Sequence, residues 1–443
     1  MIASADPGAA LRQVVARALG ELSPIAHCGR VVEARGTLIR VAGIEACIGD
    51  LCEFRLPNGA VRLGEVTGLV DECALLMPHG ELDGLAIGTR VVPLHHGHRV
   101  PVGDALLGRV LDGFGQPLDG RGPLATSAWM PAQAKSPPPL SRAPITQPIE
   151  TGVRAIDALL TLGQGQRIGI FAPAGVGKST LAGMAVRASN VDVCVVALVG
   201  ERGREVGEFV QHTLGPEAMK RSVVVAATSD SAACERVKAG FVATTIAESF
   251  RDRGLRVLLV MDSVTRLARA LREVGLACGE PPTRRGFPPS VFAVLPRLLE
   301  RTGNSAHGSI TALYTVLVEG DEESDPIADE VRSILDGHIV LSREIAQLPQ
   351  YPAIDVLASL SRLMPAVTGA AHRAAAQKLR ALIARHHEIE LLIQVGEYRA
   401  GSDALADEAI AKLPLIRAFL QQGPQELQSA AHSVQRLLEI VAS

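Results

Sequence analysis

Aromatic side chains are scarce: one Trp, three Tyr and nine Phe make up 3% of 443 residues. That leaves few platforms on which single-stranded bases could stack. A basic field is missing too, since 44 Lys and Arg stand against 47 Asp and Glu for a formal charge of -3 and a pI near 6.5. Nucleic acid is therefore not an expected partner. No block of like charge, internal repeat or low-complexity tract occurs. No segment is a long, purely apolar run, and the opening MIASADPGAALRQVV has neither a basic start nor an apolar core. Membrane spanning and secretion are thus not indicated. Seven cysteines (Cys28, Cys47, Cys52, Cys73, Cys194, Cys234, Cys278) are odd in number, scattered and free of CxxC pairs, as expected of reduced thiols in a cytosolic protein. The mean hydropathy of +0.22 then reflects a core rich in Ala and Leu.

What the chain does have is GQRIGIFAPAGVGKSTL, Gly165 to Leu181. An apolar strand runs into a glycine-bearing loop that ends in Lys-Ser and opens a helix. Backbone amides and the helix start offer partial positive charge to a polyphosphate, Lys178 can reach the outer phosphates, and the Ser179 hydroxyl can ligate magnesium. Ala174, Gly175, Val176, Gly177 and Thr180 complete the expected cradle for a nucleoside triphosphate. Ala172 takes the place of the first glycine of GxxxxGK[ST], so Gly175 and Gly177 must supply the tight turn.

A chain of this length is expected to hold two or three domains. Residues 10–22 carry apolar positions at helical spacing, giving an N-terminal helical segment over 1–24. From 25 to 95 the runs RVVEARGTLIRV, DLCEFRLP, AVRLGEVTGLV and GTRVVPL, parted by Gly, Asn and Asp, predict a small β-barrel. The Pro-rich stretch 131–144 reads as a stiff connector. Within 96–367, RIGIFAP, VDVCVVALVG, SVVVAAT, LRVLLVMD and SITALYTVLV alternate with helical stretches, predicting parallel strands with crossover helices. From 368 to 443 the pattern is helical throughout.

Two acids follow apolar strands. Glu201, in Gly200-Glu201-Arg202-Gly203, is placed at a strand tip to orient and deprotonate an attacking water. Asp262, ending LRVLLVMD, is placed to hold a magnesium-bound water. Hydrolysis also needs positive charge at the γ-phosphate; Arg202, Arg266 and Arg362 are the candidates, and spacing does not choose among them. Tyr351, in QYPAID, could stack on adenine or serve as a buried structural residue.

Together, GVRAIDALLTLGQGQRIGIFAPAGVGKSTL, GERGREV, VLLVMDSVTRLARALREVGLACGEPPTRRGFPPSVFAVLPRLLERTGN, DPIADEVRSILDGHIVLSR and YPAIDVLASLSRLM resemble the ATPases of type III protein secretion systems. These are related to the flagellar export ATPase and to the catalytic subunit of rotary ATP synthases. EPPTRRGFPPSVF and YPAIDVLAS are more similar to the injectisome branch than to the flagellar one. The resemblance implies a β-barrel crown, a RecA-like α/β core and a helical C-terminal domain, assembled as a homohexamer with ATP and Mg2+ at subunit interfaces. It further implies that Lys178 and Ser179 hold phosphate and metal, Glu201 is catalytic, Asp262 is the Walker-B acid, and Tyr351 packs on adenine. Arg362, in SLSR, would be the finger that reaches the neighbour's ATP. Where relatives read AGSGVGKS, Pro173 and Ala174 stand here, and Pro removes an amide donor. Export chaperones, secreted effectors, and stalk and stator proteins are the implied partners, at the cytoplasmic face of the inner membrane.

Three other functions stand beside this one. A rotary synthase subunit would need a non-identical partner subunit in alternating positions. A RecA-like nucleic-acid motor is disfavoured by charge and aromatic content. A purely structural nucleotide binder is opposed by Glu201, an acid and not an amide.

Overall fold

The structure, a computed structural model, describes residues 28–81, 83–318, 325–348 and 350–443. The helix expected over 10–22 lies outside the described residues. The chain forms two compact units, one ending at Gly97 and the other beginning at His98.

The first unit is a closed, antiparallel barrel of six strands. Around it run Gly29–Arg35, Leu38–Ala42, Cys73–Pro78, Val61–Val70, Leu51–Arg55 and Arg90–Pro93, and the last pairs with the first at Arg30 and Arg90. Closure leaves no open sheet edge. Alternation of apolar and polar residues sets the inner face, so that Ile39, Val41, Phe54, Leu76 and Val91 are fully buried. Gly64 lets two strands fit round the Phe54 ring, because a Cβ there would stand 2.5 Å from it. The strand Cys73–Pro78 was not among the expected runs; its cue is CALLM, a short apolar stretch between two turns.

The second unit is built on one large sheet. From one edge its strands are Ile354–Ser361, Gly337–Leu341, Arg167–Ala172, Ser309–Leu317, Arg256–Asp262, Val193–Glu201, Ser222–Thr228 and Val110–Leu111. Ile354–Ser361 is antiparallel to its neighbour and the other seven run parallel, while a ninth, two-residue strand, Gly303–Asn304, pairs antiparallel with Ser309–Leu317 outside this order. Val193–Glu201 is buried at every position, as a strand covered on both faces must be, which is why it reads as an apolar run. The helix Lys178–Ala188 packs on one face, while Ala233–Arg251, Val264–Ala277 and Pro289–Leu299 pack on the other. In that second layer Arg301 is 1% exposed; it donates to Glu248 Oε1 at 3.0 Å, to Thr245 Oγ1 at 2.9 Å and to the Ala132 carbonyl at 2.8 Å. In the Pro-rich connector, Arg142 donates to the Thr302 carbonyl at 2.9 Å and pairs with Glu300.

Three C-terminal helices, Ala370–Gln394, Ala404–Leu420 and Ala430–Ala442, share the first face's core through Leu379, Leu382, Ile416 and Leu437. They are tied back to the short helix Arg154–Leu159 by Arg154, whose guanidinium donates to the Phe419 carbonyl at 2.9 Å and to Gln428 at 2.7 Å. No helix among the described residues is long and apolar enough to cross a membrane.

Candidate active site

Parallel strands end together, and ligands of such sheets sit beyond their carboxyl ends. There the strand Arg167–Ala172 delivers the glycine-bearing loop to the helix Lys178–Ala188. Ala172 is still in the sheet: it pairs with Leu317, and its carbonyl accepts from Val318 N at 3.1 Å. Glycine is therefore not required at this position. The turn falls at Gly175 and Gly177, with φ of 84° and 92°, a region costly for side chains. Val176 anchors the loop by its buried side chain, whereas Ala174 and Gly175 are exposed, as are Ser179 and Thr180 at the helix start.

Two strand tips and a helix converge beside the loop. Asp262, 1% exposed, accepts from the Lys178 ammonium and, through Oδ2, from Ser179 Oγ at 2.9 Å. Glu201 ends its strand 3.7 Å from Lys178 Nζ. Arg266, on the helix after Asp262, stands 3.2 Å from the other Glu201 oxygen and donates to the Gly200 carbonyl. Burial and the Asp262 charge push the Glu201 carboxyl up to about 7, against the pull of Lys178 and Arg266. A polar cavity of about 310 Å³ opens here, lined by Ser179, Thr180, Glu201, Glu205, Glu208 and Asp262 among others. Its oxygen-rich wall and adjoining ammonium can accept a hydrated divalent cation and a phosphate chain.

Lys178, Ser179, Glu201, Asp262 and Arg266 are thus brought together; Arg202, Tyr351 and Arg362 are not. The Arg202 side chain is 74% exposed and pairs with Glu205. Tyr351 is 48% exposed, against the buried structural reading. It precedes the edge strand on the loop's side of the sheet, and its carbonyl accepts from Gln422 N at 2.8 Å. Arg362 is exposed just after that strand ends. Because the strand runs antiparallel, Ser361 lies opposite Gly337, at the amino ends of the parallel strands. The six-residue loop strand spans roughly 20 Å, so Arg362 is on the opposite side of the sheet from its own Lys178.

Thr315 escaped the sequence reading. From the strand between the loop strand and the Asp262 strand, its hydroxyl donates to Asp262 Oδ1 at 2.8 Å and lies 3.5 Å from Lys178 Nζ. A hydroxyl inside the apolar run SITALYTVLV was the available signal.

Known proteins share this architecture. The ATP synthase alpha/beta family matches in its nucleotide-binding domain over residues 152–361 and in its beta-barrel domain over 31–95. The T3SS EscN ATPase C-terminal domain matches over 368–439. A type 3 secretion system ATPase of Xanthomonas euvesicatoria is 57% identical over 97% of this chain and 98% of its own length. The SPI-2 type 3 secretion system ATPase of Salmonella typhimurium is 51% identical over 94% and 96%. A flagellum-specific ATP synthase of Pseudomonas aeruginosa is 49% identical over 94% and 93%. Among solved structures, the assembled ATPase EscN of the enteropathogenic E. coli type III secretion system superposes with a TM-score of 0.89 at 48% identity, covering 93% of this chain and all of that one. EscN in complex with its central stalk EscO gives 0.87 at 47%, with the same coverage. By barrel, loop, strand-tip acids and helical end alike, this chain belongs to the type III secretion ATPases, within the wider ATP synthase alpha/beta family.

Proposed function

We propose that the chain hydrolyses ATP, with Mg2+, at the interfaces of a homohexameric ring. The energy releases export chaperones from secreted effectors, unfolds the effectors and drives their secretion. The ring works with stalk and stator proteins, peripheral to the cytoplasmic face of the inner membrane. An assembled ATPase and its stalk complex among the solved relatives support this reading. The injectisome branch is favoured by the 57% identity to the Xanthomonas ATPase, against 49% to the flagellar one from Pseudomonas.

The observation that carries the chemistry is the Glu201 carboxyl, held at a strand tip between Lys178 and Arg266 on the cavity that Ser179 and Asp262 also line. Loop amides and Lys178 hold the phosphates, the ammonium exchanging Asp262 for phosphate oxygens. Ser179 and Asp262, 2.9 Å apart, are oxygen ligands that suit a hard cation. Magnesium, when bound there, would neutralise charge on the phosphate oxygens. Glu201 takes one proton from water as the water oxygen attacks the γ-phosphorus, and ADP departs with the bridging oxygen. Tyr351, exposed on the loop's side, offers its ring to the adenine of the same subunit. Arg362, on the opposite side, supplies positive charge to the neighbour's γ-phosphate.

Glu201→Gln keeps the shape and loses the base. It is expected to bind ATP normally and to turn over roughly 100-fold to 10,000-fold more slowly. Ordinary turnover in this variant would overturn the assignment.

A further inference from the structure

Gln166 stands at the foot of the loop strand, 0% exposed, with its side chain fully engaged. Its Oε1 accepts from Gly163 N at 2.8 Å. Its Nε2 donates to the Asp336 carbonyl at 3.0 Å and to Ser361 Oγ at 3.1 Å. The same Asp336 carbonyl accepts from Arg362 N at 3.1 Å, and Ser361 Oγ donates to the Thr161 carbonyl at 2.9 Å. One buried amide therefore fixes both residues that launch the Arg362 side chain. Next to it, Arg167 holds the Asp336 carboxylate, with Nε and the main-chain N each 3.1 Å from Oδ2. An apolar core would be the cheaper filling at such a depth, because buried amides need every bond satisfied. Of its three polar contacts one is local, to Gly163 just before the loop strand, while the other two run to Asp336, ahead of the strand Gly337–Leu341, and to Ser361, at the end of the edge strand.

We propose that Gln166 is a positioning residue for the Arg362 finger, and that the strand Arg167–Ala172 links a subunit's own ATP site to the site of its neighbour. The inference rests on the reading that Arg362 acts across a subunit interface. At one end the strand delivers Lys178; at the other, Gln166 sets the angle and depth at which Arg362 leaves the subunit. Displacement of the loop strand by nucleotide is thereby transmitted to the finger presented next door. A misplaced finger leaves binding intact and slows turnover, because the γ-phosphate charge develops only in the transition state.

The test is complementation between two defective subunits. Gln166→Met keeps the bulk but not the amide. It is expected to bind a fluorescent ATP analogue with ordinary affinity and to hydrolyse ATP some tenfold to 100-fold more slowly, since a shift of about 1 Å costs that much. Lys178→Ala subunits lack the phosphate ligand but present an intact finger. An equal mixture of the two, assembled together, should hydrolyse ATP well above either alone, because Gln166→Met sites are completed by Lys178→Ala fingers. Arg362→Ala mixed with Lys178→Ala is the control. If the control does not recover, Arg362 does not act between subunits, and both readings fall. If the control recovers and the Gln166→Met mixture does not, the neighbour reading stands and the role given to Gln166 is wrong. Wild-type turnover in Gln166→Met alone is equally fatal to it. Should Gln166→Met not fold, Ser361→Ala, which removes the hydroxyl that Gln166 engages, is read in the same mixture by the same criteria.

Discussion

Arg266 lies 3.2 Å from Glu201 and caps the carbonyl of Gly200. It can do so because residue 200 has no side chain: a Cβ there would come within 3.1 Å of Arg266 Cδ, and φ is 70°. Arg266 is one of two cations that pull down the Glu201 carboxyl, which burial and Asp262 have pushed up to about 7.

Removing that charge has a definite sign. In Arg266→Gln the carboxyl must rise further, so more of it is protonated and idle at neutral pH. Hydrolysis in the unaltered protein should climb as pH rises through about 7. In the variant the same climb should start at higher pH and approach the parent rate only on the alkaline side. A pH series of kcat decides this; a limb that stays where it was would show that Arg266 does not tune the base.

Thr315 gives a second prediction. Thr315→Val is nearly isosteric but strips Asp262 of the 2.8 Å hydrogen bond that orients it. A bond to a charged group is worth about 1.5–3 kcal/mol, so the magnesium concentration for half-maximal activity should rise about tenfold. Magnesium titration at saturating ATP measures it, and an unshifted midpoint would leave Thr315 without a part in the site.

The third concerns folding alone. Arg301→Met leaves Glu248 as an unpaired acid whose side chain is 3% exposed. Breaking such a pair costs about 3–5 kcal/mol, whereas replacing both members with apolar groups is often nearly neutral. The urea midpoint should therefore fall sharply in the single variant and recover in Arg301→Met with Glu248→Leu. A double variant as weak as the single one would assign the loss to packing, not to charge.

Much of this site was legible because its parts are sequential. Lys178 and Ser179 close the loop that announces them, and Glu201 and Asp262 each end an apolar run, the position that a parallel sheet turns toward a ligand. What escaped depends on lateral register. Thr315 and Asp262 meet only because their strands are neighbours. Arg266 and Arg362 are both plausible fingers on paper, and no pattern within IDVLASLS reveals that this strand runs against the others. Gln166 was hidden in plain view in GQGQR, since an amide earns its meaning from carbonyls far along the chain. The barrel strand Cys73–Pro78 was passed over for a simpler reason: CALLM is apolar throughout and shows no alternation with polar residues.

The edge strand is pinned at its two ends and not between them. Tyr351 and Arg362 bracket ten residues, eight of them strand, and the ladder to Gly337–Leu341 is made at Ile354–Asp355 and at Leu360–Ser361, with a bulge over the four residues between. Exposed Leu357 lies in that bulge, whereas Leu360, also exposed, belongs to the paired end next to Arg362. In the proposed function Tyr351 serves one subunit's adenine and Arg362 the next subunit's phosphate, so the two paired ends set both placements while the bulge between them can take up a change in length. Two separate proposed sites thus hang from the ends of one strand.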